Sequence, residues 1–226
     1  MNLMNKILLI AMLLSGTGAS AQTYSYKVKY GLVQAGMATL IHRVEDNVLN
    51  SFFVIESSPW LSTLWTLSDS IITEYMIDKD RLVKHTRAIH EGSYHRSYEV
   101  TFSDSNLATV NGKEKGIDIQ GLRDIPSLLY ELSLTKFNNG DTLRYLMWDG
   151  RGSAVLELLV EKIDKPSLLK PFTEPGWRLT PLNSTRKSRA NKIQLSMLYS
   201  KTYPHTPLRI EIETKYGSIR MHLDAP

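Results

Sequence analysis

The feature that most restricts the fold is a two-residue periodicity that begins at Tyr24 and returns, broken by short turns, through most of the chain. In "TYSYKVKYGLVQAGMATLIHRVED", Tyr24, Tyr26, Val28 and Tyr30 alternate with Ser25, Lys27 and Lys29. Successive side chains of a strand point to opposite faces, so this segment reads as a strand with one buried and one wet face. Gly31 and Gly36 bracket the loop expected after it, Met37 to Val44 returns as a second strand, and "NSFFVIESS" follows as a third. "SSPWLSTLW" then interrupts the alternation. Ser58 offers an N-cap, Pro59 a first helical position, and Trp60, Leu61 and Leu64 fall at helical spacing, which predicts one or two turns before "TLSDSIITEYMI" resumes as strand.

One longer helix is expected in "RDIPSLLYELSLTKFNNGD". Asp124 or Ile125 precedes Pro126, apolar residues recur at Leu128, Leu129, Leu132 and Leu134, and Asn138-Asn139-Gly140 supplies the stop. A β-rich chain with one amphipathic helix usually packs it on the open face of its sheet. Two hairpins carry register. Asp149-Gly150 between apolar runs is a type I′ signal. A Tyr216-Gly217 loop would set Ile212 opposite Met221, Ile210 opposite Leu223, Glu213 opposite Arg220 and Glu211 opposite His222, one face apolar and the other charge-paired.

The N-terminus answers a different question. "MNLMNKILLIAMLLSGTGASAQ" places Lys6 before the apolar run Ile7 to Leu14, and Ala19-Ser20-Ala21 before Gln22. That is a charged region, an apolar stretch too short to span a bilayer and an A-x-A cleavage site, so residues 1–21 are expected to be a signal peptide and 22–226 a single β-rich domain. Processing removes only Lys6 among charged residues, so the formal charge passes from +4 to +3. So weak a basic excess gives no argument for nucleic acid. The chain has no cysteine, which excludes a disulfide framework and a cysteine-borne lipid anchor. No later run is apolar for long enough to span a membrane. The expectation is a soluble exported protein, periplasmic in a two-membrane bacterium, without a cofactor.

Three of the six histidines fall in "KHTRAIHEGSYHRSYEVTF". With Gly92-Ser93 as a two-residue turn, Glu91 faces Tyr94, His90 faces His95, Ile89 faces Arg96, Ala88 faces Ser97 and Thr86 faces Glu99. His90 and His95 then share a face, while His85 and Glu91 point to the other. A zinc site needs three or four protein ligands. The nearest same-face carboxylate, Glu99, is four residues from His95, roughly 13 Å along a strand. The stretch therefore reads as a solvated hairpin, with His90 and His95 the remaining metal candidates. Asp78 and Asp80 in "YMIDKDRLV" read as an exposed turn rather than a catalytic pair, and the basic loop Arg186, Lys187, Arg189, Lys192 as solvated rather than lipid-binding. Trp60, Trp65, Trp148 and Trp177 fit ordinary packing or an apolar or sugar-lined pocket. Trp60, Trp65 and Trp148, with Tyr130 on the helix, are the ligand-binding candidates. No residue is a catalytic candidate: G-x-S-x-G, H-E-x-x-H, phosphate-loop and EF-hand patterns do not occur.

Taken in order, "YKVKYGLVQAGMATL", "IHEGSYHRSYEVTFSDSN", "DIPSLLYELS" with "NNGDTL", and "TPLRIEIETKYGSIRMHL" resemble an exported bacterial family, domain of unknown function 3108. The resemblance runs from Tyr24 to Leu223, with Tyr30-Gly31 and Ala35-Gly36 opening it and Pro207 and Gly217 marking its end. Acidic residues that often precede the final proline-led strand in that family are replaced here by "YSKTYPHTP". The resemblance implies a strongly curved antiparallel sheet, a half-barrel around a helix similar to lipocalins and lipoprotein carriers, and implies no activity. By analogy with those folds, the expected function is non-enzymatic binding of an apolar or amphipathic ligand, lipid or lipid-linked glycan, on the concave sheet face. The alternatives are a scaffolding partner in an envelope complex and, further off, a metal-dependent hydrolase using His90 and His95.

Overall fold

Alternation becomes strands that pair with their sequence neighbours almost throughout. A computed structural model describes residues 20–63, 66–104, 106–148, 150, 152–164, 175–182, 194–214 and 217–224. The first meander runs β1 (Ser20–Tyr30), β2 (Val33–Glu45), β3 (Val48–Ser57), β4 (Leu67–Met76), β5 (Arg81–Glu91), β6 (Tyr94–Ser103), β7 (Leu107–Val110) and β8 (Lys113–Gly116). A short strand β9 (Leu122–Arg123) follows, and then a second meander, β10 (Thr142–Trp148), β11 (Ser153–Ile163), β12 (Gly176–Pro181), β13 (Gln194–Ser200), β14 (Pro207–Thr214) and β15 (Gly217–Leu223). Antiparallel pairing of β15 with β1 joins the two into one sheet, ordered β8-β7-β6-β5-β4-β3-β2-β1-β15-β14-β13-β12-β11-β10-β9. Two helices complete the described fold, α1 (Pro59–Ser62) and α2 (Ile125–Leu134).

So long a sheet twists and curls rather than staying flat. Here it rolls until β9 and β10, at one end, meet β5 and β6 near the other, leaving β8 beyond the closure. Phe102 of β6 packs edge-on against Trp148 of β10, with ring centroids 5.4 Å apart, and a Cβ on Gly150 would lie 2.6 Å from the Tyr98 hydroxyl. From Tyr145 onward strand β10 is consequently covered on both faces, whereas Thr142 and Arg144 stay exposed. Tyr145 and Met147 enter one core with Tyr26, Leu40, Phe53, Leu158 and the helix residues Leu128, Leu129 and Leu132. Trp148, with Leu146 beside it, enters a second core with Leu49, Tyr75, Leu82, Val100 and Phe102. A strand covered on both sides reads as continuous apolar sequence, which explains why "LMW" abandons alternation.

The second core is thus the seam where the roll closes. Helix α2 lies on the concave face, touching β3 and β4 through the apolar stripe read from its sequence. Complete burial of Leu128, Leu129 and Leu132 stabilises it by about 1.5–3 kcal/mol per side chain.

Local expectations fared unevenly. Ser58 is the N-cap of α1 with Pro59 at its start, and the histidine hairpin pairs in the predicted register from Glu91↔Tyr94 to Thr86↔Glu99. The first loop is shorter than Gly31 and Gly36 suggested, because Val33 already pairs with Tyr30. Gly36 instead lies inside β2, where a Cβ would come within 1.9 Å of the Glu56 carbonyl oxygen. Helix α2 stops at Leu134, capped at Thr135, before Asn138-Asn139-Gly140 is reached. Trp148 pairs with Ser153, so four residues rather than an Asp149-Gly150 dipeptide connect β10 and β11.

In the last hairpin Thr214 pairs with Gly217, which shifts the register by two residues from the expected one. Ile212 faces Ile219, Ile210 faces Met221, and Glu211 faces Arg220, whose Nε lies 3.1 Å from its carboxylate. An even shift preserves the faces, so the apolar and charged sides survive the correction. Residues 1–19, with most of the expected signal peptide, lie outside the described residues, as do Trp65, Asp149, Tyr216 and the loop Arg186–Lys192.

Candidate functional site

Four inward positions on neighbouring strands are polar where alternation predicts apolar residues. His42 of β2 pairs with Ser51 of β3, Ser51 with Thr73 of β4, and Thr73 with His85 of β5. All four are at most 3% exposed. They form one row across the sheet, and apolar rows flank it. Leu40, Phe53 and Ile71 of the first core lie on one side, and Leu49, Tyr75 and Leu82 of the second core on the other. The two cores are therefore separated by a buried polar belt.

Asp124, the N-cap of α2, sits on that belt and organises it. Its Oδ1 accepts from the Ser127 backbone N–H at 3.2 Å and the Ser127 hydroxyl at 2.8 Å. The Ser127 hydroxyl oxygen also accepts from the Asp124 N–H at 3.0 Å, which completes a capping box. Oδ2 accepts from the Thr73 hydroxyl at 2.5 Å and meets His85 Nδ1 at 2.8 Å. The four acceptor directions of the carboxylate are filled, as a group only 1% exposed requires. With the carboxylate accepting, His85 Nδ1 carries the hydrogen.

At the other end of the belt His42 Nδ1 meets the Ser51 hydroxyl at 2.8 Å, and its ring lies between Tyr24 and Tyr130. Burial lowers the His42 pKa to about 4, against a smaller opposing pull from Asp124, so the ring is neutral at neutral pH. His42 Nε2 and His85 Nε2 are both buried with no hydrogen-bond partner.

Arg123 fixes the entrance to the helix. Its guanidinium donates to Glu131, to the Gly121 carbonyl at 2.5 Å and to Asp80 at 2.6 Å, beside the rings of Tyr75 and Tyr145. Tyr75 donates to the same Asp80 oxygen at 2.5 Å, and burial raises its pKa. Asp80 is therefore a structural anchor, while Asp78 lies exposed in the turn. The exposed-turn reading holds for both carboxylates, Asp80 remaining 49% exposed at its side chain, but Asp80 gains the partners Arg123 and Tyr75 because the segment 117–123 folds back over the β4–β5 turn and meets β5 through a bridge between Arg81 and Gln120.

The belt lies on the concave face, whereas His90 and His95 lie on the convex face with ring centroids 3.9 Å apart. They border an open groove of about 350 Å³ with Ser68, Ser70 and Ser97. No cluster of three or more His, Asp or Glu able to hold a metal occurs among the described residues. His85, which reads as part of a solvated hairpin, is in fact 3% exposed and belongs to the belt.

Of the ligand-binding candidates, Trp148 is 4% exposed in the seam, Tyr130 packs on His42, Trp60 is 52% exposed on α1, and Trp65 lies outside the described residues. Trp148 and Trp60 do not share a surface. Trp177 packs on Phe137 beside the first core.

The sequence held a signal for the belt. In each of β2, β3 and β4 one polar residue stands in the inward phase between two apolar ones, as His42 does between Leu40 and Val44.

A rolled sheet, antiparallel except where β9 pairs with β10, with one helix on its concave side defines a mainly β, barrel-like class. A solved structure shares it: the beta-barrel-like protein of domain of unknown function DUF1849 from Brucella abortus, at TM-score 0.54 and 9% sequence identity, covering 89% of this chain and 95% of that one. Residues 25–224 match the family described as "Protein of unknown function (DUF3108)", and the chain belongs to that family. No curated protein matches the chain. Among the described residues no helix is long and apolar enough to cross a membrane.

Proposed function

We propose that this is an exported envelope protein that binds the apolar part of a lipid or lipid-linked glycan at one rim of the rolled sheet. The observation that carries the reading is a gathering of large exposed apolar side chains on three adjoining connections. Leu32 in the β1–β2 turn is 97% exposed, with Tyr30 and Val33 beside it, Trp60 stands on the β3–β4 connection, and Tyr94 follows the β5–β6 turn. The Ser58 N–H bonds the Ala35 carbonyl at 2.8 Å and the Gly92 N–H bonds the Thr66 carbonyl at 2.7 Å, so the three connections form one edge. Contiguous exposed apolar surface marks an interaction site, whereas scattered apolar residues do not. Helix α2 covers the floor of the concave face, which favours the rim over the floor as the point of contact. The N-terminal pattern of residues 1–21 supports export.

The test is co-sedimentation with vesicles of phosphatidylethanolamine and phosphatidylglycerol, together with native mass spectrometry of the protein from its own host. Binding by the wild-type protein that a Leu32→Asp/Trp60→Ala variant loses, at unchanged folding, is the expected result. No vesicle binding and no co-purifying lipid, or a variant that binds equally well, overturns the reading. A scaffolding role draws support from β8, which ends the sheet and is exposed along Lys113–Gly116. Crosslinking in intact cells separates the two, since a carrier yields no stable protein partner.

A further inference from the structure

Among the described residues, the facing histidines on the convex face are a pair of metal-binding side chains that the belt, the helix entrance and the rim leave unused. His90 and His95 pair across β5 and β6, and their 3.9 Å ring separation fits the closer, non-hydrogen-bonded kind of antiparallel pair. An ion held by both rings at about 2.0 Å and at right angles would place the centroids roughly 4.5 Å apart. The rings need to open by roughly half an ångström, within reach of small side-chain rotations.

Their surroundings suit a cation. The row through His90 continues to Ser68 and then to Glu56, which places one carboxylate on the same face two strands away, roughly 10 Å across the sheet. Nearby Glu99 is engaged by Lys84 at 3.0 Å, and Asp69 by Arg87. The groove of about 350 Å³ beside the rings leaves room for solvent ligands.

We propose that His90 and His95 form an open, exchangeable site for a divalent copper ion, with water completing the coordination. Imidazole nitrogen suits this ion, and among first-row divalent metals copper binds such donors most tightly. Two protein ligands with open positions make an ion that comes and goes, unlike a closed structural zinc. The remaining histidines do not compete. His42, His85 and His205 are at most 5% exposed, and His222 lies among Arg209, Lys29 and Arg220, which disfavour a cation.

The test is titration of the tag-free protein with copper sulfate, followed by electron paramagnetic resonance. One equivalent with two-nitrogen coupling is the expected result. His90→Gln and His95→Gln should each weaken binding on the order of 10²-fold, the loss of an intramolecular second ligand. His222→Gln should leave it unchanged. Because both side chains lie on the outer face, thermal unfolding of the metal-free variants should match wild type. Single-nitrogen coupling, full affinity in either single variant, or undiminished binding in the double variant overturns the proposal.

Discussion

Two pairs of histidines share this sheet and have opposite lives. His42 and His85 close the ends of a row on the concave side, each buried and each bonded through Nδ1, to Ser51 and to Asp124. His90 and His95 sit one hairpin step away on the convex side, facing each other over an open groove. The difference is one of strand phase. His85 and His90 belong to one strand, five residues apart, and an odd separation puts them on opposite faces. The same residue type becomes a structural element on one face and an available ligand on the other.

Removing Asp124 should break the buried pair most severely. Asp124→Ala orphans Thr73, His85 and the first turn of α2 together, an expected loss of about 3–5 kcal/mol in urea unfolding. A loss below about 1 kcal/mol would mean that the belt is not what anchors the helix.

Acid should sharpen the contrast next. His42 has a folded-state pKa of about 4 against the ordinary imidazole value of 6.5, so the unfolded chain takes up a proton first as pH falls. The stability that neutral His42 contributes is complete above pH 6.5 and lost progressively down to about pH 4, amounting to about 3 kcal/mol. In a His42→Gln variant, unfolding free energies from urea titration should vary less between pH 7.5 and 4.5, by about 2.5 kcal/mol; an unchanged slope would place the acid sensitivity elsewhere.

Ser51→Ala comes third. It strips His42 Nδ1 of its partner in a dry site and should cost about 1–3 kcal/mol, read from the same denaturation curves. Smallest is His90→Ala/His95→Ala, expected within about 0.5 kcal/mol of wild type because exposed positions contribute little packing. A large loss there would show the convex pair to be structural as well, and the comparison would collapse.

Much of this molecule follows from local pattern. Alternation gives the strands, Gly92-Ser93 gives the register of the histidine hairpin, and Pro126 with Leu128, Leu129 and Leu132 gives the helix and its buried face. Faces survive even where register was misread, as in the last hairpin, because a two-residue shift leaves every side chain on its own side. The rim is legible only in part: Trp60 and Leu32 are visible in the sequence, but their adjacency depends on hydrogen bonds between separate connections.

What the sequence alone determined is therefore strands β1 to β6, β10, β11, β14 and β15, the single long helix, and which residues of a strand share a face. What only the tertiary structure decided is which buried faces meet. The roll covers β10 from Tyr145 onward on both sides, folds the segment 117–123 back over the β4–β5 turn and brings Asp124 to Thr73 and His85, 51 and 39 residues away. Periodicity encodes the direction of a side chain relative to its own strand. Contact across the interior depends on curvature summed over the whole sheet, and no short stretch of sequence carries that sum.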